Sequence, residues 1–359
     1  MELKAEALII GAGPAGLAVA ACLKKIGAPF LIVEQAATIG STWRRHYDRL
    51  HLHSDRDHSA LPYLDFPRGT PRYPSRDQVI AYLEFYARHF GLAPRLGERV
   101  QSVQPGEAGW VTITAAGAYR SRHVIVATGC NAVPNLPRWP GQEHFRGRIL
   151  HSGEYRDGEP FRDRNVLIVG FGNSAGEIAI DLYEHGAHVA MAVRGPVNII
   201  PREILGLPIL TVSLAFSRLP PRLADALAAP LVRLTIGDIA RLGFRKPLCG
   251  PITQINTTAR IPLIDIGTVK LIREGRIEIR RGLRSISQDA VTFDDGSTRR
   301  CDAIVLATGF RAGFDRFLNQ GRLAAPAGLH FCGFRVSPTG MLRDIGLEAR
   351  QIAERISTH

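Results

Sequence analysis

Two glycine-rich runs have the spacing of a backbone cradle for phosphate. Gly11-Ala12-Gly13-Pro14-Ala15-Gly16 reads GxGxxG, and Gly170-Phe171-Gly172-Asn173-Ser174-Ala175 reads GxGxxA. In such a run the first glycine permits the tight turn. The second lets the backbone approach a pyrophosphate, and the third lets the following helix lie close to its strand. The phosphates then meet free N–H groups at the helix N-terminus. A carboxylate about 20 residues further on accepts hydrogen bonds from an adenosine ribose. Glu34, followed by Gln35, stands there after the first run, but Arg194 stands there after the second. A guanidinium clasps a 2′-phosphate that a carboxylate would repel. The spacing therefore predicts two different dinucleotides: FAD or NAD at the first clamp, NADPH at the second.

The flanking sequence supplies the elements that must hold these clamps. Residues 7–10 and 166–169 are short apolar runs, as buried parallel strands are. Helices follow over 17–26 and from the second clamp to His185-Gly186, and next strands over 30–33 and 188–193. Each unit then closes in the same way. Strands at 110–114 and 122–126 lead into Ala127-Thr128-Gly129. Strands at 277–279, 291–293 and 304–306, with a hairpin at Asp295-Gly296, lead into Ala307-Thr308-Gly309. A last strand over 329–333 and a last helix over 347–356 return the chain to the first unit. The expected fold is α/β, with two Rossmann-like dinucleotide-binding domains of the three-layer ββα type and the NADPH domain inserted in the FAD domain. The expected boundaries are 1–160 plus 300–359 for the FAD domain and 161–299 for the NADPH domain. Residues 196–262 interrupt the second unit, and substrate choice is expected there. The apolar stretch 205–216 reads either as a substrate entrance, as a rest for a membrane or partner, or as a buried helix and loop.

Composition narrows the function. The chain of 359 residues is 45% hydrophobic and 22% charged, an ordinary globular balance for about two domains. Its five cysteines include no CxxC pair, so a disulfide framework, a zinc knuckle and a dithiol redox centre are excluded by spacing. No haem or iron–sulfur spacing occurs and no metal is expected. Electrons passed from NADPH to a flavin then have O2 as acceptor. The net charge of +12 comes from scattered arginines that do not alternate with aromatics, so no nucleic-acid partner is expected. Glu2 and Glu6 spoil a signal-peptide reading, and no apolar run is long enough to span a bilayer. A cytoplasmic location without stable membrane insertion is expected, and a homodimer is compatible with the sequence.

Between the clamps, Phe145, Gly147, His151 and Tyr155 form FxGxxxHxxxY. This run resembles the signature of class B flavin-containing monooxygenases, with Tyr155 where Baeyer–Villiger relatives usually carry Trp. The YUCCA-type branch and its bacterial relatives are the nearest likeness. That likeness rests also on Tyr47-Asp48-Arg49-Leu50-His51-Leu52-His53, Gly170-Phe171-Gly172-Asn173-Ser174, Leu248-Cys249-Gly250-Pro251, Pro262-Leu263-Ile264-Asp265-Ile266-Gly267-Thr268 and Ala307-Thr308-Gly309-Phe310-Arg311. The resemblance implies FAD and NADPH as cofactors and a small organic molecule and O2 as substrates. Reduced flavin and O2 would form a C4a-(hydro)peroxyflavin in a dry pocket. The oxygen would go to a 2-oxo acid such as indole-3-pyruvate, with loss of CO2, or to a soft nitrogen or sulfur nucleophile. Thr42 and Trp43, soon after Glu34, are expected near the flavin ring, with Thr128, Gly129, Thr308 and Gly309 also lining the cofactors. His53 is the candidate catalytic residue, with His51 and His58 as rivals. An NADPH oxidase or diaphorase releasing peroxide, and a non-catalytic flavin-binding sensor, are the alternatives.

Overall fold

The structure is a computed structural model that describes residues 2–318 and 327–358, so part of the expected return to the first unit (319–326) lies outside the described residues. β1 (Glu2–Ile10) turns at the first glycine run into α1 (Pro14–Lys25) and then β2 (Phe30–Val33). α2 (Ser41–Arg44) and α3 (Arg76–His89) precede a meander of β3 (Val100–Gly106), β4 (Gly109–Thr114) and β5 (Gly117–Val126). The first sheet runs β2-β1-β5-β4-β3, with β1 parallel to both neighbours. Ala7, Leu8 and Ile9 are fully buried, as a parallel strand covered on both faces must be. Every residue of α1 from Ala15 to Leu23 is buried. A helix apolar on all sides needs cover on all sides, and its many alanines keep it thin enough to receive it. A capping box starts α3: Ser75 Oγ accepts from the Gln78 N–H and Gln78 Oε1 from the Ser75 N–H.

β6 (Val133–Pro134) and β7 (Arg148–His151) lead to the second unit: β8 (Asn165–Val169), α4 (Asn173–Glu184) and β9 (His188–Val193). An excursion follows: β10 (Ile199–Pro201), β11 (Glu203–Ile204), β12 (Leu207–Pro208), α5 (Ile209–Phe216), α6 (Pro221–Ile236), α7 (Pro251–Thr258) and β13 (Leu263–Asp265). α8 (Thr268–Arg273) and β14 (Ile277–Arg281) rejoin the sheet. β15 (Leu283–Ile286), β16 (Ala290–Phe293) and β17 (Thr298–Arg300) form an antiparallel meander before β18 (Ala303–Leu306). The second sheet is β14-β9-β8-β18-β7, parallel throughout.

β19 (Phe310–Arg311) pairs with β6, and β20 (Leu329–Phe331) pairs with the last residues of β5, beyond the point where β4 has peeled away. α9 (Met341–Ser357) then lies along α1. Two expectations shift. β7 and β18 fall in ranges expected of the first unit yet hydrogen-bond into the second sheet, which therefore spans 148–306. The last helix begins at Met341 rather than 347, because Leu342, Ile345, Ala349, Ile352, Ala353 and Ile356 form its buried stripe while Leu347 is exposed.

Candidate functional site

The two clamps share one construction. Gly11 has φ +112° and Gly170 φ +123°, a region that favours glycine. A Cβ on Gly11 would stand 2.6 Å from the Ala127 carbonyl oxygen, and one on Gly170 2.4 Å from that of Ala307. The alanines of the two Ala-Thr-Gly turns are thus the backbone against which each clamp closes. A Cβ on Gly16 would stand 1.9 Å from the Gly11 oxygen. Gly13 and Gly172 differ: both have ordinary extended conformations, and a Cβ on either would meet nothing within 4 Å. They sit at the N-caps of α1 and α4, and no side chain caps either helix. Orphan N–H donors therefore face open space, the condition a pyrophosphate needs. In the second clamp Ala175 replaces the third glycine. Ala175 is fully buried there, and the neighbouring Gly176 makes a separate close approach, where a Cβ would come 2.9 Å from the Leu263 side chain of β13.

Glu34 is buried and ties the first turn together. Its two oxygens accept from the N–H groups of Ala12 at 2.8 Å and Ala36 at 2.9 Å, and each keeps a lone pair. Gln35 beside it is exposed. The Gly40 N–H donates to the Ala12 carbonyl, so the segment carrying Thr42 and Trp43 does run back along this clamp. Both are half-buried, and Trp43 packs on the core around α1 and α3. Gly129 and Gly309 both have positive φ. The Thr128 hydroxyl is buried without a partner, whereas that of Thr308 donates to the Asn135 carbonyl at 2.6 Å. Arg194 directly follows β9 with an exposed side chain, and its carbonyl accepts from Arg245.

The three histidines separate by environment. His51 is exposed, with Nδ1 2.6 Å from the Arg49 carbonyl, and His58 Nδ1 lies 2.8 Å from Asp55. His53 alone of the three lines a cavity, and its Nε2 is 2.6 Å from Oε1 of Glu177 in a bent contact. Glu177 is 1% exposed. It belongs to a stripe on α4, with Asn173 and Asp181 one turn away on either side, that faces the first unit. Asn173 Oδ1 accepts from the Ile264 N–H at 2.8 Å. Tyr155 donates to Asp181 Oδ2 at 2.6 Å and meets Tyr47 edge-on, both rings being buried. Burial, then the Asp181 bond, pushes the Tyr155 hydroxyl far above its usual range. Burial raises Asp181, and the Tyr155 bond opposes that rise.

The signature motif has a mechanical meaning that its spacing did not disclose. His151 Nδ1 accepts from the Gly153 N–H at 3.1 Å, so its Nε2 donates to the Gly309 carbonyl at 3.0 Å. The His holds the linker to the second Ala-Thr-Gly turn, and the Tyr holds it to α4. Glu177 was not found from the sequence, since a Glu inside a helix carries no spacing signal.

The cavity has a volume of about 200 Å³. Its walls come from α5, α6, α7, β13 and the 336–341 segment, with Ile209, Phe216, Val232, Ile255, Ile264 and Met341 among them. Among the described residues its polar side chains are those of His53, Ser54, Asn173, Ser213 and Ser337, and no Lys or Arg lines it. Of the readings open for 205–216, the structure shows cavity lining: Ile209, Leu210, Val212, Ser213 and Phe216 face it. Asp225, buried on α6, accepts from the N–H groups of Ile252 and Thr253, which joins α6 to the start of α7. Among the described residues no group of three or more His, Cys, Asp or Glu could hold a metal, and no helix is long and apolar enough to cross a membrane.

Comparison with known proteins agrees with this architecture. A family model described as pyridine nucleotide-disulphide oxidoreductase matches residues 8–201. The chain is 42% identical over 320 residues to a probable indole-3-pyruvate monooxygenase, YUCCA1, of Arabidopsis thaliana, covering 88% of this chain and 77% of that one. It is 41% identical over 319 residues to indole-3-pyruvate monooxygenase YUCCA1 of Oryza sativa subsp. japonica, covering 88% and 79%. In fold it is similar to a flavin-containing monooxygenase from Stenotrophomonas maltophilia, with a TM-score of 0.77 at 21% identity over 99% of both chains.

Proposed function

The chain belongs to the YUCCA-type flavin-containing monooxygenases and is an FAD- and NADPH-dependent monooxygenase of a small organic molecule; from that premise we propose that its substrate is a 2-oxo acid with an apolar aromatic side chain, such as indole-3-pyruvate. The observation that carries this reading is the cavity. At about 200 Å³ it has room for one small aromatic molecule. Its walls are apolar, and its polar atoms include His53 and Asn173, the latter part of the second clamp. The aromatic tail would lie among Ile209, Phe216, Val232 and Ile255, with the oxo-acid end toward His53.

The residues then divide the work. The open space before Gly13 takes the FAD pyrophosphate, with Pro14, Ala15 and Gly16 starting the helix behind it. Glu34 takes the ribose, while Gln35, Thr42, Trp43, Thr128 and Gly129 border the same cofactor. Gly170, Gly172, Asn173, Ser174 and Ala175 hold NADPH, with Arg194 on its 2′-phosphate and Thr308 and Gly309 closing the turn. When bound, FAD accepts a hydride from NADPH and, once reduced, activates O2. The chain aligns the two rings, keeps water out with apolar walls, and offers His53 as the group that gives or takes a proton at the substrate. The units expected from the sequence, 1–160 with 300–359 for FAD and 161–299 for NADPH, are redrawn so that β7 and β18 count with the NADPH unit. Unpaired Cys22, Cys301 and Cys332, all buried, fit a reducing cytoplasm.

Among the described residues no Lys or Arg lines the cavity, which favours a second reading, a sulfide or the free base of an amine as oxygen acceptor. Turnover of the holoenzyme with NADPH and O2 separates the two. Aromatic 2-oxo acids, methyl sulfides and tertiary amines are compared for NADPH used, peroxide released and product formed. One decarboxylated product per NADPH from the aromatic oxo acids is expected. Oxygenation of sulfides alone would establish the second reading, and peroxide as sole product throughout would overturn both.

A further inference from the structure

Among the described residues, Glu177 is the one carboxylate with both oxygens buried and free of hydrogen bonds. A carboxylate out of water without a donor is costly, so its nearest polar neighbour decides its state. That neighbour is His53 Nε2, at 2.6 Å. His53 Nε2 is likewise buried without a hydrogen bond, because the contact is too bent for one; two bare lone pairs at this distance would still repel, so a proton on Nε2, beside rather than on the line to Oε1, is what relieves the contact. The other titratable groups facing the pair are Tyr47, whose hydroxyl burial and Glu177 push well above its usual range, and Asp181 with its partner Tyr155, one turn along α4. None of them donates to Glu177.

We infer that Glu177 is a positioning residue: it keeps a proton on His53 Nε2 and so fixes the ring with Nδ1 as a bare acceptor available to the cavity. A carboxylate facing one ring nitrogen and the cavity facing the ring's other side favour the tautomer with its N–H on the carboxylate side. Nδ1 has no hydrogen bond within the chain and is not a buried orphan, while the ring lines the cavity. Holding the tautomer through the far nitrogen is the usual work of a carboxylate beside a catalytic imidazole. Here the carboxylate lies on the helix of the second clamp and the imidazole on an excursion from the first. The tautomer is therefore set only when the two units are docked. The inference rests on the reading of His53 given above, but its direct test does not.

The test is ring nitrogen NMR on cofactor-free protein labelled with [15N]histidine, with the His53 signals assigned by their loss in His53→Asn. Wild type is expected to show the Nε2–H tautomer. Glu177→Leu is expected to give a mixture containing Nδ1–H, at unchanged circular dichroism. If Glu177→Leu does not fold, Glu177→Asp draws the carboxylate back by one methylene and is expected to give the same mixture. A wild-type Nδ1–H tautomer, or a folded variant with the wild-type pattern, overturns the inference. In the holoenzyme the folded variant is expected to lose kcat by about ten- to a hundredfold with KM little changed. A shifted tautomer with unchanged kcat supports the pair as drawn and overturns instead the part assigned to His53 in turnover.

Discussion

Gly13→Val separates cofactor binding from folding, because Gly13 faces empty space where its neighbours face backbone. At Gly13 φ is −84° and ψ −172°, which any residue adopts, and a Cβ would meet nothing within 4 Å. The cost to the cofactor-free fold is then a poorer N-cap, about 1 kcal/mol or less. The new methyls occupy the space in which phosphate oxygens must reach the helix N–H groups. Loss of two hydrogen bonds to charged oxygens, at roughly 1.5–3 kcal/mol each, comes to about 3–6 kcal/mol. That weakens FAD roughly 10²- to 10⁴-fold. Visible absorbance of the purified protein reports flavin content, fluorescence quenching on titration reports Kd, and thermal unfolding of cofactor-free protein reports the fold. Gly16→Ala is the contrast: its Cβ would stand 1.9 Å from the Gly11 oxygen, so the cofactor-free fold itself is expected to weaken. A Gly13→Val protein that purifies yellow with an unchanged Kd would refute the assignment of this space to pyrophosphate.

Arg194→Ala is expected to raise KM for NADPH about ten- to a hundredfold while leaving NADH little changed, since one charge-assisted contact is lost; an equal loss for both would remove the 2′-phosphate role. Tyr155→Phe strands Asp181 Oδ2 in a buried site and is expected to lower stability by about 1–3 kcal/mol in urea unfolding; a change under about 0.5 kcal/mol would show the bond to be idle. Acid should destabilise the fold before carboxylates matter. Burial, then Arg45, Arg156 and Arg76, lowers His46 to about 4, and burial, then His123 and Arg355, lowers His330 to about 4. The unfolded chain binds these protons near pH 6.5 and the folded chain does not, so stability present above 6.5 is lost as pH falls toward 4. A melting temperature flat between pH 7 and 5 would contradict this.

The clamps were readable because their physics is local. A glycine at 11 or 170 is required by a turn only a few residues long, and Glu34 and Arg194 follow at the distance one helix and one strand impose. Even so, the close approach at Gly176 was not legible, since its partner, Leu263, lies far along the chain. The last helix was placed six residues late because Leu347 looked like part of its buried stripe, and only the position of α1 shows which side is covered.

His53 was one of three histidines in eight residues, and no pattern of residue types distinguishes them. What distinguishes them is that Arg49 and Asp55 hold its rivals, whereas Glu177 and the cavity wall meet His53. Residue types and short spacings determined that the chain carries two unlike dinucleotide clamps and which backbone forms each cradle, because backbone cradles are built from consecutive residues. Tertiary structure decided which imidazole lines the cavity, what carboxylate stands behind it, and the size of that cavity. Those depend on contacts between segments more than a hundred residues apart, whose energies no local pattern records.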